Sequence, residues 1–398
     1  MYLGERNTFR KERRGLVKTA YTNAVIINGE GTVDGKDTLI VNGEMVQGII
    51  SSAEIPADYE RVDLNGRYIT PGLIDVHTHL GVHEEGVGKP GADFNETSDP
   101  VTPAVRAIDG INPLEEGFEQ ARQSGVTTVQ VMPGSANVIG GEMCTLKTAG
   151  TIVDKMVIQS PSGMKAAFGE NPKTVYGSHG KKPVTRMGIA AAFREAFIQA
   201  DNYIRKQDNS EVRERSLGME QLAKVLKKEI PLRIHAHRAD DIVTVLRLAK
   251  EFDISLTLEH CTDGHKIAEY IAEHEVMVSV GPTMSSKSKV ELADKGWHTL
   301  SELDKHGICY SITTDHPVVN IEYLITSAAK AAGTGLSEEK VFQSITTNAA
   351  RHLGIEDRVG SLEAGKDADF VIWSNHPFHY MSQVEATFIN GEKVYERT

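Results

Sequence analysis

Between residues 70 and 354 the chain alternates short apolar runs with amphipathic stretches, and this alternation constrains the fold more than any other feature. Helical stretches such as 241–250 and 265–272 separate the runs, and the long interval between Glu170 and His235 predicts inserted helices. Alternating strands and helices are typical of a parallel (β/α)8 barrel, or TIM barrel. The predicted strands are 73–77, 126–132, a poorly marked run within 144–160, 164–168, 231–236, 254–259, 276–280 and 308–314.

The two ends of the chain have a different pattern, in which short extended runs are broken by Asn-Gly pairs. These pairs, which favour hairpin turns, occur at 28–29, 42–43, 65–66 and 390–391. We therefore predict a small β-sandwich domain built from residues 21–69 and 355–398, beside a barrel of residues 70–354. Residues 1–20 are basic but lack a following apolar segment, so we predict a tail, or an arm that docks on a partner subunit, rather than a secretory signal.

Composition limits the partners of this chain. Its 398 residues include 55 acidic and 43 basic side chains, and the resulting net charge of −12 disfavours nucleic-acid binding. No apolar run approaches the roughly 18 residues needed to cross a bilayer. The three cysteines, Cys144, Cys261 and Cys309, are widely spaced and indicate neither a disulfide framework nor a Cys-rich zinc module. We expect a cytoplasmic homo-oligomer that binds a small molecule, not nucleic acid or membrane.

The segment 70–79, TPGLIDVHTH, brings two histidines to the end of the first predicted barrel strand. Side chains of a strand alternate between its faces, so His77 and His79 point to the same side. Imidazole is a good ligand for zinc and similar metals. A lone His-x-His pair is weak evidence, because two half-buried structural histidines would also explain it.

Three more residues of metal-ligand type end later predicted strands: His235, His260 and Asp315. The functional groups of such barrels gather at the carboxyl ends of the strands. Several separate strands that end in metal-ligand residues are much harder to explain by structure alone. The sequence therefore predicts a metal site at this end of the barrel.

These residues, in this order, resemble the amidohydrolase superfamily, within its imidazolonepropionase-like group. The resemblance extends from about residue 21 to the end and includes residues 360–369, GSLEAGKDAD, which are similar to the family's return into a small β-sandwich. It implies one or two divalent metal ions, zinc first among them. It also implies that His77, His79, His235 and His260 are metal ligands and that Asp315 is a ligand that also transfers protons.

The family often has a fourth-strand ligand that bridges two metals, either a CO2-modified lysine or a glutamate. Residues 163–172 contain one candidate of each kind, Lys165 and Glu170. Because they are five positions apart, they face opposite sides of an ideal strand, and only one should reach the metals. Both residues remain candidates for this ligand. Each also has a purely structural explanation, Lys165 as a lysine of the barrel core and Glu170 as a solvated acid in a loop.

One position departs from the family's deaminases and from imidazolonepropionase itself, which have a proton-transferring glutamate three residues after the fifth-strand histidine. Here that position is Arg238, whose guanidinium stays cationic and cannot act as a general acid or base. Both of those activities are therefore disfavoured. Arg238 is predicted either to bind an anionic substrate with its two-pronged side chain or to form an ion pair with Asp240 or Asp241.

The remaining candidates for substrate contact adjoin predicted ligands: His237 follows His235, and His316 follows Asp315. The predicted function is hydrolysis of an amide or other C–N bond, in a cyclic amide or dipeptide-like substrate, by metal-bound hydroxide with Asp315 as general base. One alternative is a lactone or phosphoester hydrolase that uses the same site. The other is a non-catalytic scaffold of the same fold.

Overall fold

A computed structural model describes residues 17–33, 35–209 and 214–398. The strands of this part of the chain are Lys18–Thr22 (β1), Val25–Ile26 (β2), Thr38–Asn42 (β3), Met45–Ile50 (β4), Glu60–Asp63 (β5), Tyr68–Pro71 (β6), Leu73–Thr78 (β7), Val126–Val131 (β8), Ile139–Lys147 (β9), Val157–Ala167 (β10), Leu232–Ala236 (β11), Leu256–His260 (β12), Met277–Val280 (β13), Tyr310–Ile312 (β14), Phe370–Trp373 (β15), Val384–Ile389 (β16) and Glu392–Glu396 (β17). The α-helices are Glu116–Gln123 (α1), Val153–Met156 (α2), Glu170–Gly177 (α3), Arg186–Asn209 (α4), Leu217–Leu226 (α5), Ala239–Phe252 (α6), Ala268–Ala272 (α7), His298–Lys305 (α8), Leu324–Ala332 (α9), Glu338–Ser344 (α10) and Thr347–Leu353 (α11).

Strands β7 to β14 form one eight-stranded sheet in which sequence neighbours are spatial neighbours. Its first and last strands meet through a parallel bridge between Thr78 and His316, so the sheet is a nearly closed barrel. The number and order of the strands agree with the predicted TIM barrel. The predicted insertion before His235 contains three helices, α3, α4 and α5.

The third barrel strand differs from the prediction in position and direction. It spans Ile139–Lys147 and pairs antiparallel with both β8 and β10. The prediction of an all-parallel barrel with a strand within 144–160 is therefore wrong at this point. Residues 132–138, which join β8 to β9, are too few for a helical crossover, and a parallel connection needs about a dozen residues or more.

The first barrel strand shows why the predicted histidines face inward. Ile74 and Val76 pack against α11 in one apolar cluster with Ala349, Ala350 and Leu353. Because side chains alternate along a strand, Asp75, His77 and His79 point to the opposite side. Helix α6 likewise separates apolar from polar side chains. It buries an apolar face and has acidic residues in its first turn and Lys250 in its last, which complements the helix dipole.

The chain ends form two further sheets, with strand orders β4-β3-β1-β5 and β17-β16-β15-β6-β2. The second sheet combines strands from both ends, and side chains of both sheets share one apolar cluster that includes Leu39, Ile69 and Phe370. That these sheets are a separate β-sandwich domain stays a prediction. Asn65-Gly66 joins β5 to β6, which lie in different sheets, so the hairpin predicted there is wrong.

Other predictions concern the beginning of the chain, the cysteines and the membrane. Residues 1–16 of the predicted basic tail lie outside the described residues, whereas Lys18 to Ala20 belong to β1. Cys144, Cys261 and Cys309 are free thiols. Among the described residues, no helix combines the length and the apolar character that a membrane span requires.

Candidate metal centre

Among the described residues, two groups of largely buried metal-ligand side chains lie at the carboxyl end of the barrel. In each group one ligand atom per residue lies within 4.8 Å of the others. The groups adjoin, because the ring centroids of His77 and His260 are 4.5 Å apart. Together they bring all five principal predicted ligands to one place, and His237 lies with them. The first group is His77, His79 and Asp315, and the second is His235, His237 and His260.

Asp315 is the junction of the first group. Its Oδ1 lies 3.5 Å from His77 Nε2 and 3.3 Å from His79 Nε2. Burial by itself would raise the pKa of Asp315, but the surrounding imidazoles of His79, His260 and His77 outweigh it, and the pKa lies below its ordinary value. Asp315 is therefore a carboxylate at neutral pH, which is the form that binds a cation or accepts a proton.

Hydrogen bonds orient three of the histidines so that one ring nitrogen remains available. The Nδ1 atom of each faces an oxygen that only accepts, and therefore carries the hydrogen, which leaves Nε2 as an acceptor for a cation. The pairs are His77 with Glu259 Oε2 (2.9 Å), His79 with the Met132 carbonyl (2.9 Å) and His260 with the Gly281 carbonyl (2.7 Å).

Among the histidines of the centre, His235 has the least satisfied hydrogen-bonding capacity within the described residues. Neither of its ring nitrogens has a hydrogen-bond partner among the described residues, although the side chain is buried. Glu291 Oε1, also buried and without a hydrogen-bond partner there, lies 4.0 Å from His235 Nε2, 3.8 Å from His237 Nε2 and 3.7 Å from the Lys289 ammonium. Buried polar atoms without partners cost about 1–3 kcal/mol each, and a bound cation would satisfy them. The residues present thus fit a divalent metal ion.

The protonation states agree with metal binding. Burial lowers the pKa of His77 to about 3, and the positive charge of Lys165 adds to this effect. Burial, reinforced by His260, also holds the pKa of His235 well below its ordinary value. Both imidazoles are therefore neutral at physiological pH, and the neutral form is the one that coordinates metal.

Two residues of the centre have unusual backbone conformations. His260 has φ 71° and Asp315 has φ 55°, which places both in the left-handed region. Residues other than glycine rarely adopt this region, and such strain concentrates at functional sites, where the surrounding structure enforces it. His260 is the last residue of β12 and Asp315 follows the end of β14 by three residues, so at both positions the chain turns and directs the side chain at the centre.

Lys165 and Glu170 are placed differently. Lys165 is fully buried, and its Nζ lies 3.1 Å from His77 Nε2. Burial lowers its pKa to about 8. Glu170 begins α3, and its backbone N–H donates to Glu291 Oε2 at 2.9 Å; within the described ranges its side chain joins neither ligand group. The geometry favours Lys165 as the fourth-strand candidate.

The three residues predicted to contact substrate lie in different surroundings. His237 belongs to the second ligand group, and its Nδ1 lies 2.8 Å from Thr262 Oγ1. His316 is buried, accepts a hydrogen bond from the Ile321 N–H at Nδ1, and leaves Nε2 without a partner among the described residues. The Arg238 guanidinium forms two hydrogen bonds of 2.9 Å with Asp240 and is 41% exposed, as the structural alternative predicts.

A cavity of about 380 Å³ lies beside the first ligand group, with Phe94, Asn95 and Arg106 among its lining residues. The Phe94 ring centroid is 5.2 Å from that of His79, and Phe94 also stacks on His83 at 4.3 Å. The cavity is therefore a candidate for the part of a substrate that extends away from the metal ligands.

Two buried glutamates of this region were not predicted. Glu259 accepts hydrogen bonds from Thr257 and Ser279 and lies within hydrogen-bond distance of His352 as well as His77. A charged residue within the apolar strand ending at His260 was a signal that could have identified it. Glu291 lies in a short 3-10 helix, Val290–Leu292, and nothing in its local sequence indicates its position.

Comparisons with known proteins point to the family that the sequence resembles. The model of the amidohydrolase family matches residues 68–394. The crystal structure of an amidohydrolase from Thermotoga maritima MSB8 is similar with a TM-score of 0.92 and 42% identity, covering 95% of this chain and 100% of that one. Amidohydrolase tasK of Hapsidospora irregularis is 29% identical over 392 residues, which are 90% of this chain but only 40% of tasK. An imidazolonepropionase of Cupriavidus pinatubonensis is 24% identical over 373 residues, with 84% of this chain and 82% of that protein covered.

We predict that Glu259→Gln weakens metal binding about 10- to 100-fold, because the neutral amide orients and polarises His77 less well than a carboxylate. Competition with a chelator of known affinity measures the change. Glu142→Gln is the matched control, since Glu142 is also a buried glutamate but pairs with Lys224. Equal metal affinity in Glu259→Gln and wild type would show that Glu259 has no positioning role.

Proposed function

The chain belongs to the amidohydrolase family, and from this premise we propose that it hydrolyses an amide or another C–N bond in a small molecule. Family membership supports a metal-dependent hydrolase acting on such bonds. The observation that carries the proposal is the convergence of His77, His79 and Asp315 with a second histidine group, in which the imidazole Nε2 atoms carry no hydrogen and can bind a cation.

In this proposal the five principal ligands would hold one or two divalent ions, zinc first among them, and Lys165 would be the fourth-strand ligand if two ions bind. Imidazole and carboxylate ligands at the ends of rigid strands suit zinc. Bound at these residues, a divalent ion would lower the pKa of the attacking water and polarise the scissile carbonyl. The lowered pKa of Lys165 supports its modification by CO2, since the neutral amine is the form that reacts. The five principal ligands of the proposed metal site are His77, His79, His235, His260 and Asp315.

Asp315 is proposed as the group that moves protons. Its ionised carboxylate accepts a proton from the attacking water and returns it to the leaving nitrogen. The Nε2 atoms of His77 and His79 lie within 3.5 Å of its Oδ1, so a cation bound between these three atoms would hold the carboxylate in place. His316 follows Asp315 and carries an Nε2 atom without a partner among the described residues, which makes it a candidate for substrate contact.

The proposed substrate is a cyclic amide or a dipeptide-like molecule, and the cavity beside Phe94 would receive its side groups. Arg238 at the position of the family's proton-transferring glutamate disfavours deamination and imidazolonepropionate hydrolysis. A lactone or phosphoester hydrolase on the same site is the enzyme alternative. The filled ligand positions support catalysis over a scaffold role. The cytoplasmic location and the homo-oligomer stay predictions.

We predict that protein purified without chelator contains about one to two divalent ions per chain. Lys165→Met should lower this content towards one, because it removes the proposed bridge, whereas Glu170→Gln should keep the wild-type value. Elemental analysis of folded protein makes the comparison. A loss of metal in Glu170→Gln together with a normal content in Lys165→Met would assign the bridge to Glu170.

Activity on a panel of amides, lactones and phosphoesters tests the proposed reaction. We expect amide hydrolysis that chelators abolish, and Asp315→Asn should lower kcat about 10²- to 10⁴-fold because the amide group cannot accept the proton. Asp304→Asn, which changes an aspartate on α8 paired with Lys340, is the control. Chelator-insensitive turnover, or a wild-type kcat in Asp315→Asn, would contradict the mechanism, and activity on esters alone would favour the alternative substrates.

One variant separates the two predicted roles of Arg238. Since the guanidinium already has a bidentate partner in Asp240, we expect Arg238→Ala to leave KM within about twofold and to change the free energy of unfolding by less than about 1 kcal/mol. Steady-state kinetics and denaturant unfolding of the same variant supply both values. An increase in KM of about ten- to a hundredfold for anionic substrates would instead assign Arg238 to substrate binding.

A further inference from the structure

We propose that the chain has a second, peripheral binding site for a divalent transition-metal ion, formed by His265, Asp294 and His298. One ligand atom from each residue lies within 4.8 Å of the others. His265 Nε2 is 3.1 Å from Asp294 Oδ2, and His298 Nε2 is 3.8 Å from Asp294 Oδ1. The site shares no residue with the metal centre.

The three ligands come from two segments that follow neighbouring barrel strands. His265 lies in a 3-10 helix, Gly264–Lys266, after β12. Asp294 and His298 follow β13, and His298 is the first residue of α8. The imidazole rings of His265 and His298 meet edge to face, with centroids 4.3 Å apart. An ion at this point would therefore connect two segments that are otherwise separate in the chain.

The hydrogen bonds of His265 show that a positive charge is needed between its ring and Asp294. Its Nδ1 lies 3.2 Å from the Thr262 carbonyl and 3.1 Å from Thr299 Oγ1, and that hydroxyl itself donates to the Thr262 carbonyl. Both neighbours thus accept, and Nδ1 must carry the hydrogen. In the neutral ring, the lone pair of Nε2 then faces the carboxylate of Asp294. Two acceptors at 3.1 Å require a positive charge, which is either a second ring proton or a metal ion.

The ligand set selects the kind of ion. Two imidazoles and one carboxylate suit zinc, copper, nickel or cobalt, whereas magnesium and calcium prefer oxygen ligands alone. The side chains of Asp294 and His298 are 50% and 51% exposed, so water completes the coordination and the ion exchanges readily. This exposure distinguishes the peripheral site from the buried centre, where an ion would be held much more tightly.

Lys266 competes with the proposed ion. Its Nζ lies 3.0 Å from Asp294 Oδ2 and 2.8 Å from Asp263 Oδ1. A metal ion that binds Asp294 must displace this ammonium group or share the carboxylate with it. Removal of the lysine charge should therefore strengthen metal binding, an effect that a site without metal affinity would not show.

The two bridged segments both reach the centre. The segment after β12 carries Thr262, which contacts His237 Nδ1, and the segment after β13 carries Glu291, which lies 3.8 Å from His237 Nε2. An ion between His265 and His298 would hold these segments together from outside. Its binding should consequently stabilise the folded protein, since it binds the native arrangement and not the unfolded chain.

The test uses untagged full-length protein that retains its tightly held metal and has been passed over a chelating resin to remove loose ions. Calorimetric titration with Zn²⁺ should reveal one additional ion per chain, and thermal unfolding should shift upward with added Zn²⁺. His298→Ala should weaken this binding by at least about tenfold, as expected for loss of a ligand. Lys266→Met should tighten it severalfold.

His306→Ala is the matched control, because His306 follows the same helix and pairs with Glu302 instead. It should bind the additional ion like wild type. His265→Gln provides a second ligand variant, and circular dichroism with analysis of the tightly held metal verifies that each variant is folded with its centre intact. Absence of an additional ion in wild type, or equal Zn²⁺ affinity in His298→Ala and His306→Ala, would overturn the proposal.

Discussion

The carboxylate of Asp75 joins the first and last strands of the barrel, and the geometry of the centre depends on this junction. Its Oδ1 accepts from the Thr313 hydroxyl, and its Oδ2 accepts from both the hydroxyl and the backbone N–H of Thr314. These residues immediately precede Asp315, whose own N–H donates to the His77 carbonyl. One buried side chain thereby sets the distance between the two ends of the barrel, and with it the distance from Asp315 to both histidines.

Burial of the Asp75 carboxylate costs free energy, and hydrogen bonds from several donors offset that cost. Burial raises the pKa of Asp75 to about 6, although hydrogen bonds from Thr313, Thr314 and the His77 N–H favour the charged form. Glu259 is a second buried carboxylate, but its pKa lies well below the ordinary value, because His352 and His77, both within hydrogen-bond distance, outweigh the effect of burial. Buried polar groups that are fully satisfied hold a single arrangement, so the two carboxylates make the centre rigid before any ligand arrives.

At β9 the barrel departs from the regular alternation of parallel strands and helices, because the connection from β8 is short. The antiparallel strand β9 follows β8 after a turn, and its Lys147 forms buried ion pairs with Asp367 and Asp369, close to the sheet that contains both chain ends. Asp369 lies in the segment that resembles the family's return to that sheet. The segment 360–369 thus carries part of the family resemblance in the sequence. In the structure, its ion pairs with Lys147 connect the barrel to the terminal strands.

Local pattern determined much of this protein. Alternating apolar runs predicted the barrel strands, and residues of ligand type at their ends predicted His77, His79, His235, His260 and Asp315, because strand periodicity and strand ends are properties of neighbouring residues. Only the tertiary structure decided the rest: that β9 runs antiparallel, that Lys165 rather than Glu170 reaches His77, that Arg238 pairs with Asp240, and that Glu259 and Glu291 face the histidines. Each of these depends on contacts between residues that are distant in the chain or on the choice among several nearby partners. Such contacts are set by packing and burial, and no local pattern encodes them.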